Sequence, residues 1–339
     1  MKKRGVSVAR IIGVDLGTSN TYIYRKGRGI IVREPSVIAI DEEKSKVTAL
    51  GQAAYSMLGK EPAGIKATRP IRDGVIAEFD VTVAMLHGFF VKAAGKGSLN
   101  RPNVILAVSN SITEVEKRAL EEAANEAGAR SVAIIPSPFA AALGAGLPIE
   151  EPRGSMIVNI GGGTTDVAVM SLGGIIQCNS VRVGGDEIDE AIASYLKRKY
   201  NLIISLTDAE ELKRRMGTIS PTAEEITEEV YGRDAVSGLP AAVKIKNTEL
   251  KEPITEQLAK ITECIRNTLE KLHPELSADI HDYGMTLSGG GALLDGISEY
   301  YSKKFGFEVK TAQNPLDCCV EGIKKVIELF PEAVSFNSK

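Results

Sequence analysis

The chain has 339 residues, 43% of them hydrophobic and 25% charged, which is the composition of a folded globular protein and not of a disordered or fibrous one. Lys and Arg number 41 against 44 Asp and Glu, so the formal net charge of −3 provides no positive field for a nucleic-acid backbone. We therefore expect no nucleic acid among its partners. The length has room for two ordinary domains or for one duplicated fold.

The spacing of the cysteines and the length of the apolar runs indicate the cellular compartment of the protein. The four cysteines form no CxxC pair, which favours a reducing cytoplasm. No apolar run reaches the roughly 18 residues of a membrane span, and the start of the sequence has no secretory cleavage pattern. We expect a cytoplasmic protein. Lys2, Lys3 and Arg4 are either solvated or in weak contact with the inner face of an anionic membrane.

Strand-like and helix-like patterns alternate along the first half, which is typical of α/β construction with partly parallel sheets. One helix has both ends written in the sequence, since Thr113 and Glu116 form a capping-box pattern and Gly128 ends it. In chain order the segments are RIIGVDLG, TYIYRKGRGIIV, the helical VTVAMLHGFFVKAAG, NVILAVS, the helical TEVEKRALEEAANEAGA, SVAIIPS and the small-residue helix AAALGAGLP.

The second half repeats the start of the first. IIGVDLGTSNTYIY is echoed by MIVNIGGGTTDVAV, and Asp15 and Asn159 hold the same place 144 residues apart. That interval is far longer than the roughly 20 to 50 residues of a solenoid repeat, so the echo predicts one duplicated domain. The segment SPTAEEITEEVYGRDAVSGLPAAV has the weakest pattern and is predicted to be an exposed elaboration of the second half.

Each copy carries a glycine-rich turn between two strands. Such a turn gathers backbone N–H groups in one concavity, and small side chains let phosphate oxygens approach them. A plain tight hairpin is the alternative for either turn alone, but two turns after equivalent strands favour a clamp on a polyphosphate. The residues are Gly17, Thr18, Ser19 and Asn20 in the first turn, and Gly161, Gly162, Gly163 and Thr164 in the second.

Asp15 is the candidate metal ligand. It ends an apolar strand, where a carboxylate is costly to bury unless a cation or several donors stabilise it. A water-bridged Mg²⁺ is our interpretation, and capping of the turn through the backbone is the alternative.

A third glycine cluster, MTLSGGGALLDG, follows a short strand and is predicted to lead into a helix from Leu293 onward. Its bare backbone suits a flat base or a phosphate, at Gly289, Gly290, Gly291 and Ala292. In DAEELKRRMG the spacing places Glu210, Lys213 and Arg214 on one helical face, suited to ribose and the adenine edge, although a solvated helix is the simpler alternative. No P-loop motif occurs in the sequence.

Taken together, these motifs resemble the MreB family of bacterial actin homologues, within the class of actins, seventy-kilodalton heat-shock chaperones and sugar kinases. The resemblance covers nearly the whole chain and includes RPIRDGVIAEFDVT, RVGGDEIDEAI and HPELSADI. It implies a duplicated actin-like, ribonuclease H-like α/β fold with two lobes around a cleft that holds ATP and Mg²⁺. It also implies that Gly184, Gly185 and Asp186 line that cleft.

The resemblance further implies a division of the chain. Lobe I would be 1–145, lobe II 146–315, and 316–339 would return to lobe I. The inner subdomains would be about 8–34 with 69–145, and about 154–185 with 250–315; the outer ones would be about 35–68 and 186–249.

Two departures from the family concern hydrolysis. Ser137 stands where the family usually has the Glu that orients attacking water, and Asn159 replaces the usual acid before the second glycine turn. Neither side chain can act as a carboxylate base, so we expect nucleotide binding with weak hydrolysis. The alternative is an active ATPase in which other residues compensate.

A third departure concerns the membrane. Family members commonly insert apolar residues from the loop that here reads AAGKGSLNRP, in which Leu99 is the only apolar tip and Lys96 and Arg101 are nearby. We expect weak membrane contact unless a filament multiplies it.

The resulting hypothesis is a head-to-tail filament protein that acts in rod shape determination with membrane proteins of cell-wall synthesis. A sugar or acetate kinase is the alternative, but no catalytic Asp for a substrate is found. A chaperone-like ATPase is the other, but no peptide-binding β-domain follows in the sequence.

Overall fold

A computed structural model describes residues 11–94 and 101–329. The chain divides into two compact units. Of the described residues, unit 1 contains 11–94, 101–108, 112–140 and 319–329, and unit 2 contains 109–111 and 141–318. The predicted membrane residues Lys2, Lys3, Arg4, Lys96 and Leu99 lie outside the described residues.

Ten strands and four helices lie in the described residues 11–94 and 101–144. The strands are β1 Ile11–Leu16, β2 Asn20–Arg25, β3 Gly29–Pro35, β4 Ile38–Asp41, β5 Lys46–Leu50, β6 Ile65–Thr68, β7 Ile71–Arg72, β8 Val75–Ile76, β9 Asn103–Val108 and β10 Ser131–Pro136. The helices are α1 Gln52–Tyr55, α2 Phe79–Ala94, α3 Glu114–Glu126 and α4 Ser137–Gly144.

Eight further strands and six helices lie between residues 145 and 329, where the described part of the chain ends. The strands are β11 Ser155–Ile160, β12 Thr165–Ser171, β13 Gly174–Val181, β14 Leu202–Ile203, β15 Thr227–Asp234, β16 Pro240–Lys246, β17 Met285–Ser288 and β18 Val309–Thr311. The helices are α5 Gly185–Tyr200, α6 Leu206–Met216, α7 Asn247–Leu269, α8 Pro274–Tyr283, α9 Ile297–Phe305 and α10 Cys318–Leu329, with a 3₁₀ turn at Gly290–Leu293.

The main sheet of unit 1 has the strand order β10-β9-β1-β2-β3. β1 pairs antiparallel with β2 and parallel with β9, and the register sets Ile11 beside Asn103 and Asn103 beside Ser131. β1 and β9 are almost entirely buried, as expected for strands covered on both faces. Helix α10 packs on this sheet, because Ile323 and Ile327 lie against Gly13.

The main sheet of unit 2 has the order β13-β12-β11-β17-β18. β11 pairs antiparallel with β12 and parallel with β17, and β17 pairs parallel with β18. Strand for strand this is the topology of the unit 1 sheet, with β11 in the place of β1. The duplication predicted from the echoing segments is therefore present in the sheets.

The ends of α3 agree with the sequence pattern. Thr113 accepts a hydrogen bond from the Glu116 amide, and the Glu116 carboxylate accepts one from the Thr113 amide, which completes the predicted capping box. The helix ends at Glu126, and Gly128 has a positive φ of 112°.

The segment with the weakest sequence pattern is more ordered than its composition indicates. It forms the hairpin β15–β16, which joins β14 in a three-stranded sheet. Val230 and Ile245 are buried on one face, while Tyr231 on the other face is 69% exposed. Membrane-spanning helices are not found in 11–94 and 101–329, where no helix is both long and apolar enough.

Candidate functional site

The first glycine turn lies between β1 and β2 in unit 1 and is held from two sides. The Gly17 amide donates to the Asn20 carbonyl (3.0 Å), which closes the turn. The Ser36 hydroxyl donates to the Gly17 carbonyl (2.7 Å), and the Gly74 amide donates to the Thr18 hydroxyl (3.0 Å). The Thr18 amide has no acceptor in the described part of the chain, so it is available to a ligand.

Asp15 lies in β1 beside this turn. Burial raises the pKa of its carboxyl to about 6 from the ordinary 3.8, although a hydrogen bond from Cys319 opposes the shift. The folded state therefore binds the proton more tightly than the unfolded chain, and stability decreases as pH rises from about 4 to about 6. At neutral pH the charged carboxylate costs on the order of 2 to 3 kcal/mol, which a bound cation would offset.

Ser137 lies at the same edge of the unit 1 sheet as Asp15. The register sets Asp15 level with Ala107, and Ala107 level with Ile135, two residues before Ser137. Ser137 is the first residue of α4 and is 7% exposed. The candidate metal ligand and the position that lacks a carboxylate are thus about 10 Å apart in the strand-to-strand direction.

The second glycine turn, between β11 and β12 in unit 2, repeats the geometry of the first. The Gly161 amide donates to the Thr164 carbonyl (2.8 Å), as the Gly17 amide does to Asn20. The amides of Gly162 and Gly163 have no acceptor among the residues that the structure describes. Both turns therefore leave backbone donors available to a ligand.

The start of α5 packs directly on the second turn. The Gly185 amide donates to the Gly161 carbonyl (3.0 Å) and the Asp186 amide to the Gly162 carbonyl (2.8 Å). A Cβ on Gly184 would collide with both turn carbonyls, so only glycine permits this approach. Since the amides of Gly185 and Asp186 are used in this way, the two residues position the turn.

Helix α6 braces the start of α5. Lys213 donates to the Gly185 carbonyl (2.8 Å) and forms an ion pair with Asp189 (2.9 Å). Burial outweighs the neighbouring ammonium and raises the pKa of Asp189 to about 7. Glu210 is 8% exposed and pairs with Arg214 at 2.6 Å along the same helix. Of the three residues predicted for this face of α6, Lys213 contacts the segment that packs on the second turn, whereas Glu210 and Arg214 pair with each other.

The third glycine cluster packs against the end of β11. A Cβ on Gly289 would collide with the Ile160 carbonyl, and one on Gly291 with the Ile160 side chain. A Cβ on Gly290 would meet only Leu316, at 3.6 Å, so open space remains there. The side chain of Ala292 is apolar and the residue is only 3% exposed, so only its backbone groups could bind a ligand.

The helix predicted from Leu293 onward is wrong. The cluster continues as a 3₁₀ turn that ends at Leu293, and α9 begins only at Ile297, after Gly296 with a φ of 80°. A Cβ on Gly296 would collide with the backbone of Ser220, so the chain passes close to Ser220 before α9 begins. A helix N-terminus therefore does not follow the three glycines directly, and the dipole argument for this cluster does not hold.

Asn159 lies in β11 at the second turn. Its Oδ1 accepts a hydrogen bond from Ser288 (3.1 Å) in β17, and the register sets it opposite Asp166. Asp166 was missed by the sequence analysis. It is 1% exposed and accepts hydrogen bonds from the Ser109 hydroxyl (2.7 Å) and the Asn110 amide (3.0 Å).

The structure brings the predicted residues together within each unit. Unit 1 gathers Asp15, Gly17, Thr18, Ser19, Asn20 and Ser137 at one sheet edge. Unit 2 gathers Asn159, Gly161, Gly162, Gly163, Thr164, Gly185, Asp186, Lys213, Gly289, Gly290, Gly291 and Ala292, while Glu210 and Arg214 pair with each other on α6. Sequence reasoning missed the residues that hold these groups in place, namely Ser36, Gly74, Asp166 and Asp189, because none carries a local pattern.

Comparison with known proteins supports one family. The family described as "MreB/Mbl protein" matches residues 9–334. The cell shape-determining protein Mbl of Bacillus subtilis is 43% identical over 314 residues, covering 93% of this chain and 94% of that protein. The cell shape-determining protein MreB of Escherichia coli is 44% identical over 325 residues, covering 94% and 93%. MreB5 of Spiroplasma citri bound to AMPPNP has a TM-score of 0.90 at 36% identity, covering 96% and 98%.

Proposed function

The chain belongs to the MreB/Mbl family, and we propose that it is an ATP-binding, actin-like cytoskeletal protein whose copies assemble head to tail into filaments. Its biological role is rod shape determination and cell-wall morphogenesis in the cytoplasm, with membrane proteins of cell-wall synthesis as partners. The resemblance and the α/β actin-like fold predicted from the sequence are confirmed. Because the chain belongs to this family, the kinase and chaperone alternatives are not needed to explain its motifs.

One observation carries the nucleotide proposal: both units contain a glycine turn of the same geometry with unused amides. Each unit by itself offers donors for phosphate oxygens, namely the Thr18 amide in unit 1 and the amides of Gly162 and Gly163 in unit 2. Within unit 2, the space over Gly290 would accommodate the base. Lys213 contacts both the Gly185 carbonyl and Asp189, so its role is to hold the Gly185 segment under the second turn. MreB5 of Spiroplasma citri binds AMPPNP in a similar fold, which supports ATP as the ligand.

Asp15 fits a metal shell. Its carboxyl is buried without an ion pair in the described residues and has a raised pKa. A bound cation would therefore offset the free-energy cost of burying its negative charge. When bound, Mg²⁺ would offset the negative charge of the phosphates. Asp15 would hold that shell through its carboxylate oxygens.

Sedimentation with and without Mg-ATP tests the proposal. The wild-type protein is expected to pellet with Mg-ATP and to melt several degrees higher, because a ligand that binds the folded state stabilises it. Asp15→Asn should stay in the supernatant and lose most of the nucleotide-dependent shift.

The same variant supplies its own folding control. Without nucleotide at pH 7.5, Asp15→Asn should melt above the wild type, since it removes a charge whose burial is unfavourable, and the two should converge near pH 4. A wild-type protein that is strictly monomeric at high concentration with Mg-ATP would rule out the filament.

Weak membrane contact is the localisation we infer, and a basic edge of unit 1 supports it. Lys26, Arg28, Arg101 and Arg130 are all exposed there, without an ion-pair partner among the described residues. The Lys26 amide donates to the Ile11 carbonyl (3.3 Å) and the Arg130 amide to the Pro102 carbonyl (2.8 Å), so the four lie along one row of strand ends.

Flotation with vesicles tests this edge. Each basic side chain near an anionic surface contributes about 1 kcal/mol, so Lys26→Glu/Arg28→Glu should weaken binding to phosphatidylserine vesicles at least tenfold at low salt. Lys303→Glu/Lys304→Glu, an equal charge change on exposed positions of α9, is the control and should bind as the wild type does. Equal losses in both variants would mean that net charge, and not this edge, governs binding.

A further inference from the structure

A buried carboxylate lies one helical turn behind the second glycine turn. Asp189, in the first part of α5, is 4% exposed, and its Oδ2 accepts a hydrogen bond from the Lys213 ammonium of α6 (2.9 Å). Its Oδ1 lies equally close to the ammonium, at 2.9 Å, but has no hydrogen-bond partner among the described residues. The negative charge on Asp189 is therefore only partly compensated.

A short chain of contacts joins this carboxylate to the second glycine turn. Lys213 also donates to the Gly185 carbonyl (2.8 Å), and a Cβ on Gly185 would come 3.1 Å from the ammonium. The Gly185 amide in turn donates to the Gly161 carbonyl (3.0 Å). Asp189 follows Gly185 by four residues, which is about 6 Å along α5. A charge that binds at the turn therefore acts on Asp189 mainly through protein and not through bulk water, where it would be screened.

The charged groups around Asp189 are mostly acidic. Helix α6 contributes Lys213 and Glu210, and α5 itself contributes Asp186. Arg214 pairs with Glu210 at 2.6 Å. The residues of β14 and the residues that α7 buries are uncharged, so neither element adds a compensating cation. Three carboxylates and two cations thus share this part of unit 2, and a polyphosphate at the turn would add further negative charge.

The ionised form of Asp189 is unfavourable for the folded protein. Burial raises the pKa of its carboxyl to about 7 from the ordinary 3.8, and the Lys213 ammonium only partly opposes this shift. The folded state therefore binds the proton more tightly than the unfolded chain does, and stability decreases as pH rises from about 4 to about 7. Asn at this position would keep an acceptor for Lys213 and avoid that cost. A carboxylate in such a costly place, beside a ligand site, indicates a role in that site.

We propose that Asp189 takes up a proton from solvent when the phosphates of a nucleotide bind at the second glycine turn. The phosphates bring negative charge close to a carboxylate that already has two acidic neighbours, so the protonated form becomes the favoured one. The proton forms an O–H bond on the carboxyl group of Asp189. The charge of Lys213 is then no longer compensated by Asp189 and adds to the attraction of the phosphates.

The inference rests on the proposed nucleotide function and gives that site a dependence on pH. Because binding consumes a proton, the affinity for nucleotide decreases as pH rises above about 7. Isothermal titration calorimetry of Mg-ATP binding, in two buffers of different ionisation enthalpy, measures the proton directly. At pH 7.5 the wild type should take up roughly half a proton more per nucleotide than Asp189→Asn does. The variant should also bind at least threefold more tightly, since it has no negative charge at this position. Protons exchanged by ATP or Asp15 are common to both proteins and cancel in the comparison.

Two further variants make the measurement specific. Glu211→Gln removes an equal charge from α6, at a side chain that is 57% exposed and pairs with Arg215 at 3.7 Å, and it should keep the wild-type uptake. Lys213→Met removes the ammonium, so Asp189 is already protonated at pH 7.5 and the uptake should be lost as in Asp189→Asn. Without nucleotide at pH 8, Asp189→Asn should melt no lower than the wild type, which separates the proton effect from misfolding.

The outcomes distinguish this inference from the proposed function. An uptake in Asp189→Asn equal to that of the wild type overturns the inference, and the function stands. A loss of uptake in Glu211→Gln also overturns it, because net charge and not Asp189 would then be the cause. If Asp189→Asn fails to fold, Lys213→Met decides alone, and wild-type uptake in that variant counts against the inference. A wild-type protein that shows neither binding heat nor a melting shift with Mg-ATP refutes the nucleotide function itself.

Discussion

The double variant Ser137→Glu/Asn159→Asp is expected to release phosphate from ATP at least ten times faster than the unmodified protein, while its nucleotide affinity changes much less. Hydrolysis needs a positioned water and a carboxylate to take its proton, and such a group typically contributes 10²- to 10⁴-fold. In the proposed site, the glycine turns and Asp15 supply the ground-state contacts, and these do not depend on either substitution. An effect on turnover with little effect on affinity identifies an interaction made in the transition state.

Each position has a neighbouring group that would stabilise the new carboxylate. Ser137 is the first residue of α4, where a helix N-terminus stabilises a negative charge. At Asn159 the oxygen that accepts from Ser288 is kept in Asp. Phosphate release should be measured under polymerising conditions, with Ser137→Gln as the control that changes size without adding charge. Should the unmodified protein match an MreB that has both carboxylates, another group must orient the water.

The elements that could be predicted are those whose signal is local. The capping box of Thr113 and Glu116 and the two glycine hairpins are each encoded within a few residues. The duplication was visible because the same short pattern occurs twice. It could be checked in the structure because the two sheets share one strand order.

The parts that could not be predicted depend on contacts between distant residues. Ser36 holds the first glycine turn from 19 residues away, and Lys213 reaches Gly185 across 28. The acidic and turn-forming residues of β15–β16 are untypical of strands, so the composition did not indicate the regular hairpin that this segment forms. At the third glycine cluster the predicted helix exists as α9, but it begins four residues later than predicted. The glycines before it pack against Ile160 and do not start the helix.

Gly322→Ala is expected to destabilise the protein by about 2 to 4 kcal/mol, although alanine is the better helix former by about 1 kcal/mol. Gly322 lies in α10, where a Cβ would overlap the carbonyl oxygen of Ala140 in α4. Backbone atoms cannot rotate away, so α10 would have to shift from β1, where Ile323 packs closely on Gly13. Urea unfolding measures the loss.

Gly88→Ala is the matched control, because Gly88 also lies inside a helix of unit 1, α2. There a new Cβ would come 2.7 Å from Leu50 Cδ2, the end of a flexible side chain that can change rotamer. Its helix propensity gain offsets the repacking cost, so its stability should remain within about 1 kcal/mol of the wild type. If the two variants unfold at the same urea concentration, the backbone contact between α10 and α4 does not restrain α10, and the close packing of Gly322 is not required for the fold.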